Sequence, residues 1–465
     1  MTVRMLRAAA ALLFVSLAFN PGEGRAGQSA LDSIKLPPVE TAVLANGMRI
    51  YYIRDELPQI TIVVSLGFGK LYESRDNAGI GELMAKTVSL GGSQKYPGTA
   101  LHEKMDSMGG RLSIESSWER TNIVVRVLER FKKEAFDVAA DLMRNPNFDP
   151  AYFNTARSLL ADQIRRKHDD PAEIAFGKAR EIIFNGEGYG SYPTPEKIGA
   201  MTLDRVRDTW RRYCAGNNIM VGVYSSLDGG EIAALCRDNF SAIAPGVRED
   251  YGVDNRATAE RVAASRGRIY FYQKDIPQAT ILLGTLAPDI AYRGNYSLEI
   301  MNYVLGGGSF NSRLMSEIRV KRGLAYSVQS ILKARHRTGV FLAFAQVENR
   351  TAAEVLSIMR ENIEKLGREP MTAGEIEWSK KSISSSFIFQ FDTPMNVLSN
   401  FMEIAYNDLP ADYFTAYLDR IRSVSDADIL NESRNLFKDG TVTVVVGGAS
   451  AVDDLKKLGE IVILK

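Results

Sequence analysis

The chain has 465 residues, enough for two or three domains, and its 45% hydrophobic and 24% charged residues are ordinary globular values. A formal net charge of +1 excludes the strongly cationic surface of a nucleic-acid or membrane-surface binder. After the N-terminal apolar run, no stretch is long and apolar enough to cross a bilayer, so no transmembrane anchor is expected.

Residues 1–26 read as a secretory signal peptide. Arg4 and Arg7 precede an apolar run from Ala8 to Phe19, and Gly24-Arg25-Ala26 offers a cleavage site after Ala26. The implied address is periplasmic or secreted. No Cys precedes Cys214, which excludes a lipoprotein anchor.

Strands are predicted over 48–54 and 58–67. Residues 79–97, GIGELMAKTVSLGGSQKYP, read as a turn, a helix, a glycine stop and a loop. Strands at 111–116 and 120–127 follow, then three or four helices, a strand near 218–225 and a helix near 228–240. That last strand–helix pair would bring Cys236 back toward Cys214. Two readings stand: a disulfide, as an exported chain permits, or two separate buried thiols.

Residues 245–266 are polar, charged and poor in aromatics, the composition of an interdomain linker. Beyond them the chain repeats itself. RIYYIRDELPQITIVVSLG at 49–67 resembles RIYFYQKDIPQATILLGTL at 268–286. Pro58 and Pro277 lie 219 residues apart, Pro171 and Pro394 223 apart, and Tyr213 and Phe437 224 apart. Two copies at a long period mean a domain duplication rather than a solenoid. The expected fold is α+β: two homologous halves, 36–244 and 267–465, each an antiparallel sheet with helices on one face.

The residues offer little metal chemistry. His102, His168 and His336 are the only histidines, no two lie within one helical turn, and two Cys cannot complete a Cys-rich zinc site. No G-K-[ST] follows Gly306-Gly307-Gly308, so this run is no phosphate loop. It reads as a tight connection between helices, with Ser309 or Asn311 capping the next one. No G-x-S-x-G elbow or Cys–His dyad signature is apparent.

The segment around Glu82-Leu-Met-Ala85-Lys86 resembles the helix that carries H-x-x-E-H in the pitrilysin-like peptidases, the family of insulin-degrading enzyme and mitochondrial processing peptidase. There, two His at i and i+4 bind zinc and the Glu between them activates water. The resemblance puts Glu82 and Lys86 at the His positions, Ala85 at the Glu position and Gln163 at the third ligand, with 76 residues between Lys86 and Gln163 as in the family. All four positions are substituted. Glu82 and Lys86 have the spacing of an i,i+4 ion pair, worth about 0.2–0.5 kcal/mol to a helix.

Other family features survive. LGGGSFNSRLMSEIRVKRGLAYSV at 305–328 keeps an Arg and a Tyr seven residues apart, Arg319 and Tyr326. The resemblance implies that this pair reaches the zinc site of an opposing half, where it steadies the oxyanion. Ser113 and Ile114 stand where the family presents an edge strand to substrate, in place of its usual Asn-Ala. Trp118, nearby, reads equally as a half-buried aromatic or a contact residue.

Loss of the zinc positions beside retention of Arg319 and Tyr326 implies a noncatalytic, substrate-binding half of a clam-shaped peptidase. Its partner would be a second pitrilysin-like subunit bearing H-x-x-E-H and the zinc; this chain would carry no metal or cofactor of its own. Peptides would be the substrates. The alternative is a proteolytically inactive scaffold or peptide-binding protein of the cell envelope.

Overall fold

The computed structural model describes residues 15–16, 37–249 and 251–464. The cleavage site expected after Ala26 and most of the segment read as a signal peptide lie outside the described residues.

Among the described residues thirteen strands form two sheets. The first contains β1 (Val15–Ser16), β2 (Val39–Val43), β3 (Arg49–Arg54), β4 (Gln59–Leu66), β5 (Arg111–Ser116), β6 (Thr121–Leu128) and β7 (Ile219–Ser225), in the order β1-β2-β3-β7-β4-β6-β5. The second contains β8 (Arg268–Gln273), β9 (Gln278–Ala287), β10 (Ala325–Ala334), β11 (Gly339–Glu348), β12 (Val442–Gly447) and β13 (Glu460–Leu464), in the order β10-β11-β9-β12-β8-β13. The run β3-β7-β4-β6-β5 recurs as β8-β12-β9-β11-β10, so the sequence repeat is a duplicated α+β unit.

Two details depart from the expected antiparallel sheet with one covered face. The last central strand of each half inserts beside the first and runs parallel to it: β7 with β3, and β12 with β8. A parallel pair needs a long crossover, and the helices between the two strands supply it. The outer edge is also filled differently. β2 lies antiparallel on β3, whereas β13 lies parallel on β8.

A further departure, cover on both faces, explains why β7 and β12 are buried along their whole lengths. The other face of each sheet is covered by a helix from the opposite half. Helix Pro171–Ile183 packs on β9 and β12, and helix Pro394–Tyr406 packs on β3 and β7. Each begins with Pro at its first turn, behind a capping residue: Asp170 accepts from Ala172 N, and Thr393 from Asn396 N. Their buried stripes coincide on the repeat. Ile174, Ala175, Ala179 and Ile183 match Val397, Leu398, Met402 and Tyr406. Gly222 in β7 permits the close approach of the second helix, since a Cβ there would meet Met402 Sδ at 2.6 Å.

The polar segment between the halves is not bare chain. It forms a helix, Asn255–Ala264, capped by Asp254, with Thr258 and Val262 buried against helix Pro171–Ile183 and β9.

Candidate functional site

Helix Ile80–Gly91 starts at Gly79, whose φ of +90° suits glycine. The buried Glu73 carboxylate closes its N-terminus. It accepts from Gly79 N at 2.9 Å, Gly81 N at 3.1 Å and Ser191 Oγ at 2.7 Å, an acid placed where the helix dipole favours one. Burial pushes the Lys70 amine down and the Glu73 carboxyl up, each partly offset by the charge of the other.

Helix Pro150–Lys167 packs against this helix and brings Gln163 into the same region. Ala85 is buried, while Glu82, Lys86 and Gln163 are half-buried. The residues present do not fit zinc: Ala85 has no donor, Lys86 is a cation and Gln163 is a neutral amide. Among the described residues no three His, Cys, Asp or Glu side chains are grouped as a metal would need. Glu82 and Lys86 do not close to the 4.0 Å of an ion pair, contrary to the expectation from their spacing. Glu82 instead lines a cavity of about 230 Å³ with Lys70, Ser116, Trp118, His168 and Arg180, where its charge acts on Lys70. The His168 ring stacks on Tyr192 at 5.1 Å.

Ser113 and Ile114 lie on β5, which pairs with β6 and ends the sheet. Ser113 is exposed and Ile114 is buried, as alternation in a half-covered strand requires. Among the described residues β5 has a neighbour on one side only.

Arg319 and Tyr326 are brought together at the far side of the second sheet. Arg319 sits in a π-helical turn, Met315–Val320, and Tyr326 is the second residue of β10. The guanidinium lies 5.3 Å from the Tyr326 ring and 5.4 Å from the Phe310 ring, within cation–π range of both. Among the described residues it has no carboxylate within 4.0 Å; the neighbouring Glu317 is taken by Lys321 and Arg322. Phe310, Val320 and Tyr326 are 61%, 64% and 77% exposed, an apolar patch around a free cation. Neither Arg319 nor Tyr326 lines the cavity beside Glu82.

The segments flanking this pair are tied down by an ion pair and close packing. Arg313 makes a two-pronged ion pair with Glu375 at 2.7 and 2.9 Å, and Glu375 also completes a capping box with Thr372. Gly306 packs directly on β10, since a Cβ there would meet Ser330 N at 2.5 Å. Neither Ser309 nor Asn311 caps the following turn; Ser309 adopts a φ of +58° and its carbonyl accepts from Ser312 Oγ.

The two cysteines are free, so the disulfide reading is corrected. Cys214 ends helix Leu203–Tyr213 with Sγ against Met143 O at 3.2 Å, and Cys236 is buried inside helix Gly229–Phe240.

One cluster had no sequence signal beyond two charged hairpin tips at equivalent places in the repeat. The tip between β5 and β6 meets the tip between β10 and β11. Glu119 accepts from Tyr189 Oη and from His336 N at 3.0 Å. Arg120 pairs with Glu403 and lies 5.0 Å from the Tyr406 ring.

Residues 49–192 match the family described as Insulinase (Peptidase family M16), and residues 200–383 match the Peptidase M16 inactive domain. The chain belongs to the M16 peptidase family. It is 23% identical over 358 residues to an uncharacterized zinc protease of Bacillus subtilis, covering 76% of this chain and 85% of that one. It is 25% identical over 378 residues to an uncharacterized zinc protease of Mycobacterium leprae, covering 79% and 82%. Among solved structures, a peptidase M16 inactive domain from Pseudomonas fluorescens superposes with a TM-score of 0.77 at 17% identity, over 88% of this chain and 98% of that one. A protease from Helicobacter pylori gives 0.77 at 17% over 89% and 100%. A chain of Complex III2 from Candida albicans gives 0.73 at 14% over 89% and 96%.

Proposed function

We propose that this M16 family member is the noncatalytic, substrate-binding and oxyanion-stabilising subunit of an exported heteromeric zinc peptidase that degrades peptides. The observation that carries the reading is the free Arg319 guanidinium, held between Phe310 and Tyr326 in an exposed apolar patch. A cation fixed by two rings and left without a counter-ion is preorganised for negative charge that arrives from outside. The exposed rings around it suit a protein partner rather than water.

The partner is a second M16 subunit that carries H-x-x-E-H and the zinc, since helix Ile80–Gly91 lacks those residues. Its chemistry is activation of water on the metal. Arg319 and the Tyr326 hydroxyl enter the partner's site and donate to the oxygen that becomes negative as the peptide bond is attacked. The open edge of β5 at Ser113 and Ile114 offers backbone hydrogen bonds to an extended peptide.

The test is affinity capture of the mature chain from its host's envelope fraction, with an assay of chelator-sensitive peptide cleavage. A stoichiometric H-x-x-E-H partner, with cleavage that needs both chains, is the expected result. Capture of other envelope components without cleavage would replace this reading with that of an inactive scaffold.

A further inference from the structure

A second pocket, of about 190 Å³, lies between the halves, behind Trp118. Helix Pro171–Ile183 and the loop after it contribute Phe176 and Phe184, and the hairpin β10–β11 contributes Ile331 and Leu342. Its wall is mostly apolar, yet Arg180, Arg335 and Lys333 also line it.

Arg180 and Arg335 are unusual in this protein. Both are half-buried, and both lie against one ring, 5.0 and 4.2 Å from Trp118. Among the described residues, neither has a carboxylate within 4.0 Å. Glu173 acts on Arg180, and Glu119 and Glu403 on Arg335, only at longer range; Glu119 is already engaged by Tyr189 and His336, and Glu403 by Arg120. Burial pushes the Arg180 guanidinium down to about 10, so it stays charged at neutral pH. Buried charges are ordinarily paired, and an indole shared by Arg180, Arg335 and Lys70, with the Tyr189 ring 5.8 Å from Arg335, does not replace a counter-ion.

The missing partner must therefore be an anion, and the apolar recess says what the anion is attached to. A guanidinium fork matches a carboxylate. An internal Asp or Glu offers its carboxylate without an apolar group beside it. The last residue of a peptide carries a carboxylate and a side chain on the same Cα. A volume of about 190 Å³ suits one bulky residue and is below the range of sites for larger ligands.

We propose that this pocket binds the C-terminal residue of a peptide, with its carboxylate on Arg180 and Arg335 and a bulky apolar side chain among Phe176, Phe184, Ile331 and Leu342. The inference concerns this chain alone and stands whether or not a zinc-bearing partner exists.

Calorimetric titration of the mature full-length chain tests it. The probes are an N-acetylated tetrapeptide ending in leucine as the free acid, its C-terminal amide, the same peptide ending in glycine, and octanoate. The free acid is expected to bind, the amide and the glycine peptide at least ten-fold more weakly, and octanoate more weakly than the free acid. Arg335→Gln should weaken the free acid at least ten-fold, and Ile331→Trp should fill the recess and abolish binding. Should either variant fail to fold, the four probes on the unaltered chain still decide. Equal binding of acid and amide, equal binding of the glycine peptide, tighter binding of octanoate, or no binding at millimolar concentration would each overturn the proposal.

Discussion

Pro171 and Pro394 stand at equivalent places 223 residues apart, and each opens the helix that leaves its own half to cover the other half's sheet. The exchange makes the halves one folding unit. Residues 36–244 expressed alone would leave the apolar face around Tyr51, Ile53, Val63 and Tyr224 bare. Such a fragment should be aggregated or unfolded by circular dichroism and size-exclusion chromatography, while the whole chain shows a single urea transition. A monodisperse, folded fragment would refute the idea.

The exchanged contact is also open to point substitution. Met402→Ala should cost about 2–5 kcal/mol by leaving a cavity. Gly222→Val should cost about 1–3 kcal/mol, because its Cβ would meet Met402 Sδ at 2.6 Å and Leu398 Cδ2 at 2.9 Å. Urea midpoints of the two variants measure both. Unchanged midpoints would mean that helix Pro394–Tyr406 does not bear on β7.

Arg319→Ala separates function from stability. Arg319 lies against two exposed rings, so the isolated chain should keep its stability within about 0.5 kcal/mol. In the complex with a zinc-bearing partner, turnover should fall roughly 10²–10³-fold, the usual effect of losing one oxyanion donor. Assembly, followed by light scattering, should persist. Unaltered turnover would remove Arg319 from the oxyanion role.

Acid should loosen the mount of Arg319. The Arg313 hydrogen bonds hold the Glu375 carboxyl well below its ordinary 4.5, at about 2. A carboxyl depressed in the folded state contributes stability above its unfolded pKa, and that contribution is lost as pH falls through the folded one. The window is therefore pH 4.5 down to 2. The group is partly solvated, which reduces the contribution to about 1–2 kcal/mol. The stability difference between wild type and Glu375→Gln, measured by urea unfolding, should be largest at pH 6 and shrink by pH 3. A difference that is constant with pH would show that Glu375 titrates normally.

Burial pushes the Cys214 thiol up to about 12 and Cys236 higher still. A thiol reagent acts on the thiolate, so at pH 8 the native chain should react slowly and the guanidinium-unfolded chain rapidly at both positions. Non-reducing mass analysis should give the mass of two free thiols. A mass lower by two hydrogens would restore the disulfide.

Much of the fold was legible because it is local. The strand predicted over 111–116 is β5, and those predicted over 48–54 and 58–67 are β3 and β4 within a residue at each end. Alternation and β-branched content set these elements wherever they pack. The substituted residues Glu82, Ala85, Lys86 and Gln163, and the seven-residue spacing of Arg319 and Tyr326, are likewise properties of the chain alone. So is the duplication.

Other features required the tertiary structure. Periodicity reports which face of an element is apolar, and it is silent on what covers that face. The stripe Ile174, Ala175, Ala179 and Ile183 would read the same on either sheet, and only long-range packing sends it to β9 and β12. The parallel placement of β7 beside β3 depends on where a long helical crossover returns. By sequence Trp118 reads as a half-buried aromatic or a contact residue; its two guanidinium neighbours come from residues 180 and 335, brought together by the meeting of two hairpins and an exchanged helix. Whether a charge is free depends on the position of every other charge. For Arg180 and Arg335 that is decided by residues far apart in the chain, which no local pattern encodes.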